Sequence, residues 1–178
     1  MTDDRGGYLR VAEAALSDVS SLREFILEAW KEAGPSAWGW TGATETSVQE
    51  LASMDHLREL VLNPGVKVLL AMDGERVIGF AVNRKVDEIM AELAGIIVSE
   101  GSTGKGVGTA LIKAAMKAAS EQGFRDVTVK TEVFNERAIG FYEANGFRRA
   151  GLTTEVVEGR GIDLVILKRR LAPTVKRR

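Results

Sequence analysis

Apolar and polar residues alternate with period two over Tyr8-Leu-Arg-Val-Ala-Glu13, which predicts a short strand. The period then lengthens. Ser17 or Asp18 can cap a helix whose buried stripe is Leu22, Phe25, Ile26 and Ala29, ending near Gly34-Pro35. A loop of small residues and tryptophan follows. Ser47 opens a second helical stretch through Leu51, Met54, Leu57, Val61 and Leu62, stopped by Asn63-Pro64-Gly65.

Period two returns over Val66–Met72 and Arg76–Val82, with Asp73-Gly74 as the hairpin turn between them. Residues Glu88 to Val98 read as a third strand, long enough to need a bulge, for which Gly95 is the candidate site. After a glycine-rich stretch, Leu111, Ile112, Ala115, Met116 and Ala119 form the buried stripe of a helix that Gly123 closes. Asp126–Thr131 is a strand, and Asn135 begins a short helix ending at Asn145-Gly146. Phe147–Val157 and Gly161–Leu167 are two final strands joined at Gly159. The order β-α-α-β-β-β-α-β-α-β-β predicts a mixed, mostly antiparallel sheet with helices on both faces.

Composition narrows the chemistry. The chain has no cysteine and one histidine, His56, so neither a disulfide framework nor a thiolate or histidine metal site is expected. A polar, acidic start unlike a secretory signal, and no apolar run near the ~20 residues of a membrane helix, make the cytoplasm the expected compartment. The length suits one domain over residues 1–178, with a basic, frayed tail at 170–178. A net charge of −1 gives no reason to expect nucleic acid as a partner. Residues 1–63 carry 11 Asp/Glu against 5 Lys/Arg, and residues 64–178 carry 14 against 19. This is either scatter over solvated faces or the mark of two ligands of opposite charge.

The run from Ile96 to Leu111 takes a strand through a loop with four glycines into a helix. Such a loop can turn successive N–H groups toward one point beside the positive end of the helix, a phosphate cradle to which Lys105 adds a full charge. The alternative is a flexible glycine turn. A Walker loop is excluded because Lys105 precedes Gly106 rather than Ser or Thr. A dinucleotide fingerprint is disfavoured by the even spacing of Gly104, Gly106 and Gly108.

The same run resembles motif A of the GNAT superfamily of N-acetyltransferases, Gln/Arg-x-x-Gly-x-Gly/Ala. Gly106 and Gly108 match, and Thr103 stands where the family has Gln or Arg. Asn135 to Phe147 is similar to motif B, with Asn135, Ala138, Phe141, Tyr142, Gly146 and Phe147 in place. The resemblance covers about residues 66–167. It implies about seven strands, splayed between strands 4 and 5, and acetyl-CoA or coenzyme A as cofactor without a metal. It also implies direct acetyl transfer to a primary amine, and it allows a homodimer through the late strands. The pantetheine arm would lie along Ile96, Ile97 and Val98. Thr103, Gly104, Lys105, Gly106, Val107, Gly108 and Thr109 would hold the diphosphate, and Asn135, Ala138, Phe141 and Tyr142 would complete the site.

The resemblance makes Tyr142 the general acid for the departing thiolate, unless it merely packs. Glu92 is the candidate base, as in the histone-type branch of the family, with Glu132 or a water chain in reserve; a solvated strand glutamate is the alternative. On the acceptor side, the acidic first third with Trp30, Trp38 and Trp40 favours a cationic small molecule such as a polyamine, or a protein amine. Core packing is the other reading of Trp38 and Trp40. A non-catalytic acyl-CoA sensor on the same fold is the competing function.

Overall fold

The computed structural model describes residues 9–34, 44–157 and 159–172. Seven strands form one sheet in the order β1-β2-β3-β4-β5-β7-β6. These are β1 (Leu9–Glu13), β2 (Val66–Asp73), β3 (Arg76–Lys85), β4 (Met90–Val98), β5 (Asp126–Glu132), β6 (Arg148–Val157) and β7 (Arg160–Arg170). All neighbours pair antiparallel except β4 and β5, which are parallel.

Period two in β2 buries both faces. Val68, Leu70 and Met72 face α1 (Val19–Ala33), α2 (Glu45–Leu51) and α3 (Met54–Leu62), while Leu69 and Ala71 face α4 (Val107–Glu121) and its neighbours. The first core includes Leu22, Phe25, Ile26 and Phe80. The second includes Leu111, Ile112, Ala115, Ile139 and Phe147, and so draws in α5 (Glu136–Ala144).

Four details depart from the sequence reading. The second helical stretch is two helices, because Ser53 starts α3 afresh: its Oγ accepts from His56 N at 3.3 Å. The third strand begins at Met90, since Asp87 Oδ1 accepts from the N–H groups of Ile89 and Met90, both at 2.8 Å, and holds them in a turn. The bulge falls at Ala94 rather than Gly95: Val82 pairs with Gly95 and Asn83 with Leu93, leaving Ala94 without a partner. The expected basic tail is also shorter, because β7 continues through Arg170. Lys168 pairs with Asp126 at 3.1 Å and Arg169 donates to the carbonyl of Asn145 at 2.8 Å, while residues 173–178 lie outside the described ones.

Helix α4 is held against the sheet at two points. A Cβ on Gly79 would sit 2.9 Å from the carbonyl oxygen of Ile97 and 3.1 Å from Leu111 Cδ1, so a glycine is required for the approach. At mid-helix, Asn83 Nδ2 donates to the carbonyl of Ala115 at 2.7 Å. Asn83 is 2% exposed, and its Oδ1 has no partner. Leaving an acceptor unpaired costs ~1–3 kcal/mol, which the fold accepts in keeping an amide there. Gly79→Ala is expected to destabilise the protein by ~1–3 kcal/mol through overpacking, seen as a lower urea midpoint with an unchanged slope.

Candidate active site

The two parallel strands pair only at Met90 with Asp126, Ala91 with Val127 and Glu92 with Thr128. Beyond Glu92, β4 runs on to Val98 with β3 along one edge and no strand along the other. That open edge offers unpaired backbone donors and acceptors to an extended ligand. Ile96 and Val98 are half-buried along it, Ile97 is buried in the core, and the bulged Ala94 is exposed.

At the end of β4 the chain turns sharply. The N–H groups of Ser102 and Thr103 bond to the carbonyls of Ser99 and Glu100, at 2.9 and 3.1 Å, and that of Ala110 bonds to Gly106 at 3.0 Å. Between them the chain forms a turn over residues 103–106, and no N–H group of residues 104–109 makes a close, well-aligned hydrogen bond among the described residues. Gly104 and Gly106 hold φ of +77° and +82°, the left-handed region that turns consecutive amides toward one side. Thr103 to Gly106 are exposed, so the turn opens to solvent. Thr103 Oγ1 donates to the carbonyl of Ser99 at 3.2 Å, so the hydroxyl braces the turn. Free amides at the start of a 15-residue helix form an anion cradle.

Gly108 ties this turn to α5. A Cβ there would lie 3.0 and 3.3 Å from the Phe141 ring atoms. The two glycine-bearing segments singled out in the sequence are thus in direct contact, and an open strand edge lies next to the cradle.

The model of the Acetyltransferase (GNAT) family matches residues 23–147. The chain belongs to the GNAT acetyltransferase family. A mycothiol acetyltransferase of Corynebacterium efficiens is 24% identical over 141 residues, 77% of this chain and 46% of that protein. N-alpha-acetyltransferase 30 of Schizosaccharomyces pombe is 31% identical over 84 residues, 45% of this chain and 56% of that protein. The chain spans about half, or less, of the length of the curated relatives it matches. Among solved structures, the PaiA N-acetyltransferase of Thermoplasma acidophilum, in complex with coenzyme A, superposes with a TM-score of 0.71 at 20% identity. That match covers 92% of this chain and 99% of the other, and it shows a shared GNAT fold.

Against that fold the other singled-out residues take definite places. Asn135 caps α5, its Oδ1 accepting from Ala138 N at 3.0 Å. Tyr142 is 7% exposed, with its ring 5.5 Å from Phe141 and 5.7 Å from Phe147. Burial pushes its phenol well above the ordinary value, so the hydroxyl keeps its proton across the neutral range. No hydrogen bond engages that hydroxyl among the described residues.

Glu92 stands where the strands part, and it is not a solvated glutamate. Its side chain is 7% exposed; Arg84 on β3 meets Oε2 at 2.5 Å and Lys130 on β5 meets Oε1 at 3.3 Å. Lys130 also pairs with Glu155 on β6 at 2.6 Å. The hydrogen bond from Lys130 to Glu155, reinforced by Glu92, holds the ammonium above its usual value against the opposing effect of burial. The chain of charges Arg84–Glu92–Lys130–Glu155 was not foreseen from the sequence. Only the register that sets Arg84 opposite Glu92 could have signalled its first link. Glu132, the reserve base, is 2% exposed at the end of β5. Trp38 and Trp40 lie outside the described residues. Among the described residues, no group of three His, Cys, Asp or Glu could hold a metal, and no helix is long and apolar enough to cross a membrane.

The raised phenol makes a prediction with a definite sign. A group that holds its proton more tightly folded than unfolded stabilises the fold fully below its unfolded pKa. That contribution is lost as pH rises through about 10 toward the higher folded value. Chemical denaturation from pH 8 to 11 should show wild type losing stability above pH ~10, and Tyr142→Phe losing less over the same range.

Proposed function

We propose that the chain is an acetyl-CoA-dependent N-acetyltransferase that passes the acetyl group directly to a primary amine in a ternary complex. The observation that carries this reading is the glycine turn and helix start at residues 104–109, whose N–H groups make no close hydrogen bond among the described residues, beside the open edge of β4 in a chain of this family. Those amides, with Lys105, suit the diphosphate of a coenzyme A thioester. The edge from Ile96 to Val98 suits its pantetheine amides, with Asn135, Ala138, Phe141 and Tyr142 flanking. When bound, the cofactor supplies an acetyl group activated as a thioester. With no cysteine in the 178 residues, no acyl-thioester can form on this chain.

Tyr142 keeps its proton until a thiolate develops, then donates it from Oη to the departing sulfur. The attacking amine must first be neutral, whereas a lysine-like amine has a pKa of ~10.4. Glu92 takes up that proton through water, by way of the oxygen at the longer Lys130 contact. Glu132 is the reserve. The nitrogen then bonds the acetyl carbon as the carbon–sulfur bond breaks; the proton it sheds on becoming an amide returns through water to the Tyr142 oxygen, giving an N-acetyl product and free coenzyme A. The acceptor is a cationic amine, a small polyamine-like molecule or a protein amine. The exposed carboxylates Glu24, Glu28 and Glu32 on α1, with Asp55 and Glu59 on α3, support that class.

An amine panel followed by release of coenzyme A thiol tests the activity. Tight cofactor binding without thiol release for any amine of the panel would leave a sensor instead. Tyr142→Phe should lower kcat by ~10²–10⁴-fold while the Kd for coenzyme A stays within about twofold of wild type. Equal losses in both would remove the acid role. Glu92→Gln should depress kcat/KM at pH 7 and recover toward wild type near pH 10, where the amine is already neutral. A pH profile that keeps its wild-type shape would assign the proton to a water chain.

A further inference from the structure

The cradle is short of charge. Between Ser99 and Ala110 the charged side chains are Glu100 and Lys105, one of each sign, and Thr103 stands where the family motif has Gln or Arg. A cofactor diphosphate would therefore meet amides and a helix end with no net side-chain charge from the turn itself.

The neighbouring helix makes up the difference. Strands β4 and β5 run parallel, α4 leaves the C-terminal end of β4, and α5 leaves that of β5. Both helix N-termini thus lie at the same end of the sheet. Phe141 touches the first turn of α4 at Gly108. Arg137 lies four residues earlier on the same stripe of α5, one turn nearer that end. It is exposed and forms no hydrogen bond or ion pair among the described residues. Its neighbour Glu136 is already paired with Arg149 at 3.8 Å.

We infer that Arg137 is a cofactor-binding residue, its guanidinium pairing with a phosphate of the coenzyme A nucleotide in place of the motif side chain missing at Thr103. A guanidinium presents a planar fork to two phosphate oxygens, which an ammonium cannot do. The inference rests on the coenzyme A reading above and extends it by one residue.

Titration calorimetry with coenzyme A and with dephospho-coenzyme A tests it, on wild type, Arg137→Gln, Arg137→Lys and the control Arg160→Gln, at the exposed first residue of β7. Arg137→Gln should weaken coenzyme A binding by about tenfold or more, Arg137→Lys by less, and Arg160→Gln not at all, with thermal midpoints unchanged. An equal loss for both ligands places the partner in the diphosphate. A loss confined to coenzyme A places it in the 3′-phosphate. The gap between wild type and Arg137→Gln should narrow as salt is raised from 0.05 to about 0.5 M. Unchanged affinity for both ligands, or a loss that salt does not diminish, overturns the assignment. Failure of wild type to bind coenzyme A would instead overturn the proposed function.

Discussion

The parting of β4 from β5 after three paired residues is the constraint on which the rest of the site depends. A parallel pair that stops pairing leaves backbone groups unmet, a cost a folded chain avoids unless a ligand or water meets it. The divergence is stabilised from both sides. On β4, the bulge at Ala94 changes the pairing with β3 just beyond Glu92. On β5, pairing with β7 continues through Glu132, so the strand keeps its own direction. Glu92, held between Arg84 and Lys130, links the strands where they separate. A charge buried this deeply is tolerated because it is paired on two sides.

The helices on the α4 side translate that opening into a binding geometry. The contact of Gly108 with Phe141 brings the turn after β4 and the helix after β5 together. The anion cradle and the buried phenol of Tyr142 thereby belong to one packed unit. The phenol is built into the same core as Ile139 and Phe147, so its protonation state is set by packing rather than by a neighbouring charge.

Much of the architecture was legible in the sequence because periodicity and turn chemistry are local. The hairpin after β2, whose turn residues are Gly74-Glu75 rather than Asp73-Gly74, the closure of α4 at Gly123 and the cap at Asn135 follow from residues within a few positions of one another. The split could not be read from any pattern of residues and entered through resemblance to a family. What escaped depended on distant pairing. The break between α2 and α3 has no Pro or Gly to announce it, only the cap of Ser53. The bulge at Ala94 is a property of two strands in register. The partners of Glu92 come from β3 and β5, and their meeting is decided by the sheet order. Lys168 and Arg169 lie beyond the strand end expected at Leu167, and pairing with β5 draws them into the sheet.

The hydrogen bond from Asn83 to the carbonyl of Ala115 carries one more consequence. It pins the long helix near its midpoint to a strand in the middle of the sheet, so the helix cannot slide along its axis. The bond thereby helps set the distance between the amides at the helix tip and the parting of the strands. A molecule whose anionic group and reactive end are separated by a different span would fill one place only by leaving the other. Under the proposed function the fold would work as a ruler, selecting among carriers by length as well as by charge.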